Sequence, residues 1–145
     1  HASRHPVTAC VAVAPHVFVE AMAVSAIEQA RQLFEAAPDA PDGLRQRLAR
    51  HHRDVDNAFW QWNDVWLSEG FQAFDIQAEL RAIVSPLLLV QGVDDEYGSL
   101  QQLQWIQDAV PHAQKLAMDA CGHSPHRDQP ARLTAAVREF LSDLP

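Results

Sequence analysis

The sequence predicts an α/β protein built on a parallel sheet, and three observations predict it. Stretches of strand length rich in apolar residues lie at 7–14 and 87–91, and a shorter one at 115–118. An amphipathic helical pattern joins the second run to the third, and another follows the third. The first two runs are almost wholly apolar rather than alternating, the pattern of strands buried on both faces beneath helices.

The elements follow in order. Residues 1–6 read as a helix tail broken by Pro6. Val7 to Ala14 is a β-branched apolar run bounded by prolines, hence a buried strand. Ala21 to Ala37 is helix-forming, with Val24, Ile27 and Phe34 among its apolar positions. The Pro38 to Gly43 stretch is a turn. Leu44 to Trp66 reads as the next helical stretch, with Val55, Phe59, Trp62 and Trp66 on one face. Asp75 to Ile83 reads as a short helix, and Leu87 to Gln91 as the second buried strand. Ser99 to Val110 is a helix with Leu100, Leu103, Ile106 and Val110 in a stripe. Lys115 to Met118 is a third strand. Gln129 to Leu144 is a final helix facing inward through Leu133, Val137, Phe140, Leu141 and Leu144. A core of residues 1–15 and 75–145 is thus interrupted by an all-helical insert at 16–74.

In parallel sheets of this kind, ligand sites lie beyond the carboxyl ends of the strands. Two turns fall there. The second strand runs into Gly92-Val93-Asp94-Asp95, which presents a carboxylate. Twenty-eight residues later, Gly122-His123-Ser124-Pro125 presents a histidine. A histidine oriented by a carboxylate is what a weak hydroxyl nucleophile needs at neutral pH, because its pKa lies near the working range. Glycine at 92 and at 122 is expected to let the backbone turn where each strand ends. Asp94 competes with Asp95 for the acid role. His126 reads as a neighbour of the site rather than its base.

These motifs resemble the acid turn and the histidine turn of the α/β-hydrolase family. The apolar run, glycine, two residues and Asp95 match the first. Gly122-His123, Pro125, Asp128 and Pro130 match the second. The resemblance implies the C-terminal part of that fold, with three parallel strands and a helical cap at the insert. It assigns Asp95 as the acid and His123 as the base of a nucleophile–His–Asp triad acting on an ester, lactone or related carbonyl. Chain order agrees, since the fold places nucleophile, acid and histidine in that sequence. The nucleophile is not among these residues: none of the seven serines lies in a Gly-x-Ser-x-Gly frame. A fragment, inactive by itself, is therefore expected. An aspartate nucleophile, as in epoxide hydrolases and haloalkane dehalogenases, and a non-catalytic binding or dimerising module are the alternatives.

His16, just past the first strand, is a candidate substrate-binding residue, as are Trp62 and Trp66. His51-His52 with Asp54 and Asp56 reads as a polar helix face, so no metal and no cofactor are expected. A net charge of −8 without a basic patch argues against nucleic acid and anionic membranes, leaving a small-molecule substrate. No apolar run approaches a membrane span and no signal peptide is recognised, so a cytoplasmic setting is expected. Cys10 and Cys121 read as buried, reduced thiols. The open edge of the first strand predicts a homodimer or a missing preceding segment.

Overall fold

The computed structural model describes residues 7–36 and 38–144. The helix tail expected at 1–6 lies outside them. Three parallel strands, β1 (Cys10–Val13), β2 (Leu87–Gly92) and β3 (Gln114–Met118), form one sheet in the order β1-β2-β3. β1 runs beside β2 with Cys10 opposite Leu87. β2 runs beside β3 with Leu88 opposite Gln114 and Gly92 opposite Met118.

The central strand explains the architecture. Its side chains alternate between two faces, and both faces are apolar. Leu87 and Leu89 pack with Leu103, Ile106 and Val110 of α5 (Gln101–Ala109) and the residue after it, together with Val17 and Leu80. Leu88 and Val90 pack with Met118, Cys121 and Phe140, the last from α7 (Pro130–Ser142). Every residue of β2 is buried. This is the two-sided burial expected from an uninterrupted apolar run.

The outer strand departs from expectation. β1 covers four residues rather than the eight of 7–14, and Cys10 is exposed rather than buried. As an edge strand, β1 contributes only Val11 and Ala12 to the two cores, with Ala9 just before it. It ends where Ala14, at φ 48°, donates its N–H to the Val90 carbonyl. Cys121 is buried as expected, and both cysteines are free thiols. Two helix positions also differ: Leu100 and Leu141 point outward, 38% and 50% exposed. Each lies one step off a stripe already filled by its neighbours.

The chain divides into two units. One comprises the strands with α5, α6 (Pro125–Asp128) and α7; the other is the all-helical stretch Val19–Phe74. The helical unit begins three residues later than the insert read from the sequence. Val17 and Phe18 stay with the sheet because the Gln102 side chain holds both: Oε1 accepts from Val17 N (2.9 Å) and Nε2 donates to the Phe18 carbonyl (3.1 Å). The expected helix at 75–83 is instead a turn leading into a short 3-10 helix, Glu79–Ala82.

Within the helical unit lie α1 (Ala21–Ala36), α2 (Leu44–Ala49), α3 (Val55–Leu67) and α4 (Glu69–Gln72). The single stretch expected at 44–66 is broken because Asp54 caps α3, its carboxylate accepting from Asn57 N at 3.0 Å. Phe34 stacks on Phe59 at the centre of this unit, with Trp60 and Trp62 edge-on to Phe59. Asn63 is the polar member of this interior. Its Nδ2 donates to the Ile27 carbonyl and its Oδ1 accepts from Arg31 Nε, so both ends are satisfied. Among the described residues, no helix is long and apolar enough to cross a membrane.

Candidate active site

β2 and β3 end side by side, and each delivers a loop from its carboxyl end. Gly92 permits their approach. A Cβ there would lie 2.0 Å from the Cys121 carbonyl oxygen and 2.3 Å from that of Gly122, distances no side chain tolerates. The close approach lets Val93 N donate to Met118 O and Asp94 N to Cys121 O, both at 2.9 Å. The glycines permit these turns without left-handed backbone angles. Among the described residues, the left-handed positions are Ala14 and Ala120 (φ 51°), one at the end of β1 and one just past β3. The side chain of Gln129 steadies the second of these by donating to the carbonyls of Asp119 and Ala120. Asp128 Oδ2 accepts from Gly122 N at 2.9 Å, tying the histidine turn to the end of α6.

These loops bring Asp95 and His123 together. His123 Nδ1 is 3.0 Å from both carboxylate oxygens. Asp95 is 4% exposed, and its Oδ1 also accepts from Tyr97 N (2.9 Å) and Gly98 N (3.3 Å). Its Oδ2 accepts from Gln91 Nε2 at 3.2 Å. Asp94 is exposed and makes its contact through its backbone, so Asp95 is the partner of His123. Tyr97 stands edge-on to the His123 ring at 4.9 Å between centroids, and the His16 ring lies 6.0 Å away. Gly98 makes room for His16: a Cβ there would sit 2.9 Å from the imidazole. His126 is exposed on α6.

Trp62 and Trp66 belong to the helical unit, where Trp62 meets Phe59 and Trp66 meets Phe71 at 4.8 Å. His51 and His52 are exposed, and no cluster of three or more metal-ligating side chains occurs among the described residues. Sequence reasoning missed Gln91, Tyr97 and Gly98. A signal existed for Gln91, an amide following four apolar residues in a buried strand.

The electrostatics suit a histidine that binds and releases a proton. The hydrogen bond His123 donates to Asp95 raises the His123 pKa above 6.5, against the opposing effect of burial, and the charges of Asp95 and Glu96 add to it. Burial pushes the Asp95 carboxyl up, but its hydrogen bonds from His123, Tyr97 N and Gln91 outweigh this and hold it below 3.8. Burial also raises the Cys121 thiol, aided by Asp128, so this neighbour of the site is not an activated nucleophile.

Both shifts make the pair's contribution to stability depend on pH. Asp95, lowered, contributes above 3.8 and loses that contribution as pH falls through its folded value. His123, raised, contributes below 6.5 and loses it as pH rises through its folded value. The full contribution is therefore present between 3.8 and 6.5. Urea midpoints measured across pH are expected to fall on either side of that window, and His123→Ala should flatten the profile. An unchanged profile in the variant would contradict the pairing.

An acid beyond the second of three parallel strands and a histidine beyond the third, on a sheet covered by helices on both faces, define the class: the chain has the α/β-hydrolase fold and carries its C-terminal part. No family model matches the chain. RutD of Pseudomonas syringae pv. syringae, a protein named for carbamate hydrolysis, is 29% identical over 131 residues, 90% of this chain and 48% of that protein. The chain thus spans about half the length of that relative. Among solved structures, the esterase RhEst1 from Rhodococcus superposes with a TM-score of 0.62 at 21% identity, covering 95% of this chain and 57% of that one. CarC, a serine hydrolase of carbazole degradation, gives a TM-score of 0.66 at 18% identity, covering 94% and 54%.

Proposed function

We propose that these residues supply the acid and the base of a hydrolase acting on a carboxyl ester, lactone or related carbonyl. The observation that carries this reading is the 3.0 Å contact between His123 Nδ1 and a buried, multiply hydrogen-bonded Asp95. The carboxylate holds Nδ1 protonated and turns Nε2 outward as an acceptor. Among the described residues Nε2 has no partner, and the His123 side chain is 37% exposed. It is placed to take a proton from a hydroxyl and return it to a leaving group. A neighbouring carboxylate favours the imidazolium formed between those steps.

The nucleophile belongs to a segment outside these 145 residues, and the helical unit Val19–Phe74, inserted in the chain between β1 and β2, is the cap insertion of the fold. Names among the relatives point to carbamate and ester substrates. Such substrates share an acyl carbon bearing a heteroatom leaving group, the group that a serine attacks with a histidine base. The test is hydrolysis of p-nitrophenyl esters. This chain alone is expected to show no hydrolysis that depends on His123. A protein that also carries the preceding segment should hydrolyse them and be labelled at a serine by a fluorophosphonate. Turnover by this chain that His123→Ala abolishes would overturn the division of the site.

A further inference from the structure

Gln91 follows Leu87, Leu88, Leu89 and Val90 as the next-to-last residue of β2, and it is fully buried. The pattern of the strand calls for another apolar residue there. An amide at that position is costly to bury, and its Oε1 has no donor among the described residues. Its Nε2 is committed twice, to the Gly98 carbonyl at 2.6 Å and to Asp95 Oδ2 at 3.2 Å. The first bond staples the two ends of the acid-bearing loop. The second reaches the carboxylate oxygen that no backbone N–H serves, since Tyr97 N and Gly98 N both donate to Oδ1. Among the described residues Asp95 therefore has two side-chain donors, His123 and Gln91, and they compete for its charge.

We infer that Gln91 is a positioning residue, which holds Asp95 and takes up part of its charge, thereby setting how tightly His123 keeps its proton. The inference rests on the reading of His123 as the base. Its chemistry is simple. A donor to the anion lessens the field that the anion exerts on the imidazolium. A base held too strongly protonated is unavailable at neutral pH, so a neutral amide at Oδ2 trims the pull of the carboxylate. The other titratable groups facing His123 are Glu96 and Tyr97 from the loop after β2 and His16 from the loop after β1; Asp128, from α6, reaches the turn through Gly122 N. None of these donates to Asp95 Oδ2.

The test is an NMR titration of the His123 ring protons in this chain, in Gln91→Met and in Asp95→Asn. Methionine fills the volume and donates nothing. The His123 pKa is expected to rise by about half a unit or more in Gln91→Met and to fall in Asp95→Asn. A purely structural role would loosen the loop and lower the His123 pKa toward its ordinary value, so a fall or no change in Gln91→Met overturns the inference. If Asp95→Asn leaves the titration untouched, the pairing of Asp95 with His123 fails and this inference fails with it. Should Gln91→Met not fold, the unsubstituted chain still decides. The Gln91 side-chain amide protons are expected to be protected from exchange and to shift with the His123 midpoint. Freely exchanging protons, insensitive to that midpoint, would overturn the proposal.

Discussion

Asp95→Asn, in a protein that carries both this chain and the nucleophile, is expected to lower kcat about a thousand- to ten-thousand-fold while leaving KM little changed. The reason lies in the donors around the side chain. Tyr97 N and Gly98 N both point at Oδ1, so the asparagine carbonyl must occupy that position. The amide nitrogen is then forced toward Gln91 Nε2, donor against donor, and also faces His123 Nδ1. The imidazole relaxes to the tautomer protonated at Nε2, which accepts no proton from a nucleophile. Steady-state kinetics with a p-nitrophenyl ester measure the loss. A kcat within tenfold of the unsubstituted enzyme would remove Asp95 from the mechanism.

Gly92→Ala is expected to cost more than about 3 kcal/mol of stability and to pull the two halves of the site apart. The new methyl would meet two backbone carbonyls, those of Cys121 and Gly122, well inside contact distance. Backbone cannot rotate away as a side chain can, so the loops after β2 and β3 must separate. That movement breaks the bonds from Val93 N and Asp94 N and lengthens the contact between Asp95 and His123. Gly70→Ala is the matched control, since nothing lies within 4 Å of a Cβ there. Urea unfolding of the two variants should differ sharply, and the His123 titration should move only in Gly92→Ala. Equal midpoints would show that the approach of the two loops is not tight.

The strands carrying the site were legible because β2 is apolar at every position but its last two, a pattern compatible with burial on both faces. The acid and histidine turns were legible for a related reason. A strand that ends in Gly-x-x-Asp or precedes Gly-His delivers its side chain at a fixed offset, so residue type and spacing carry the information. Edges were less legible. Cys10 reads as core because its neighbours are apolar, yet exposure there depends on β1 lying at the margin of the sheet. The break between α2 and α3 was legible in principle, because Asp54 stands at an N-cap position three residues before Asn57, but apolar periodicity drowned that local signal.

By itself, the sequence determined the alternation of strands and helices, the position of an acidic turn after the second strand and a histidine turn after the third, and the lack of a serine elbow among these residues. Each depends on neighbours along the chain, where order and spacing are explicit. Tertiary structure alone decided that Asp95 rather than Asp94 faces His123, that Gly92 serves by close approach rather than by an unusual backbone angle, and that Gln91, Tyr97 and His16 gather around the pair. Those contacts join loops after three different strands, and only the register of the sheet brings such loops to one place.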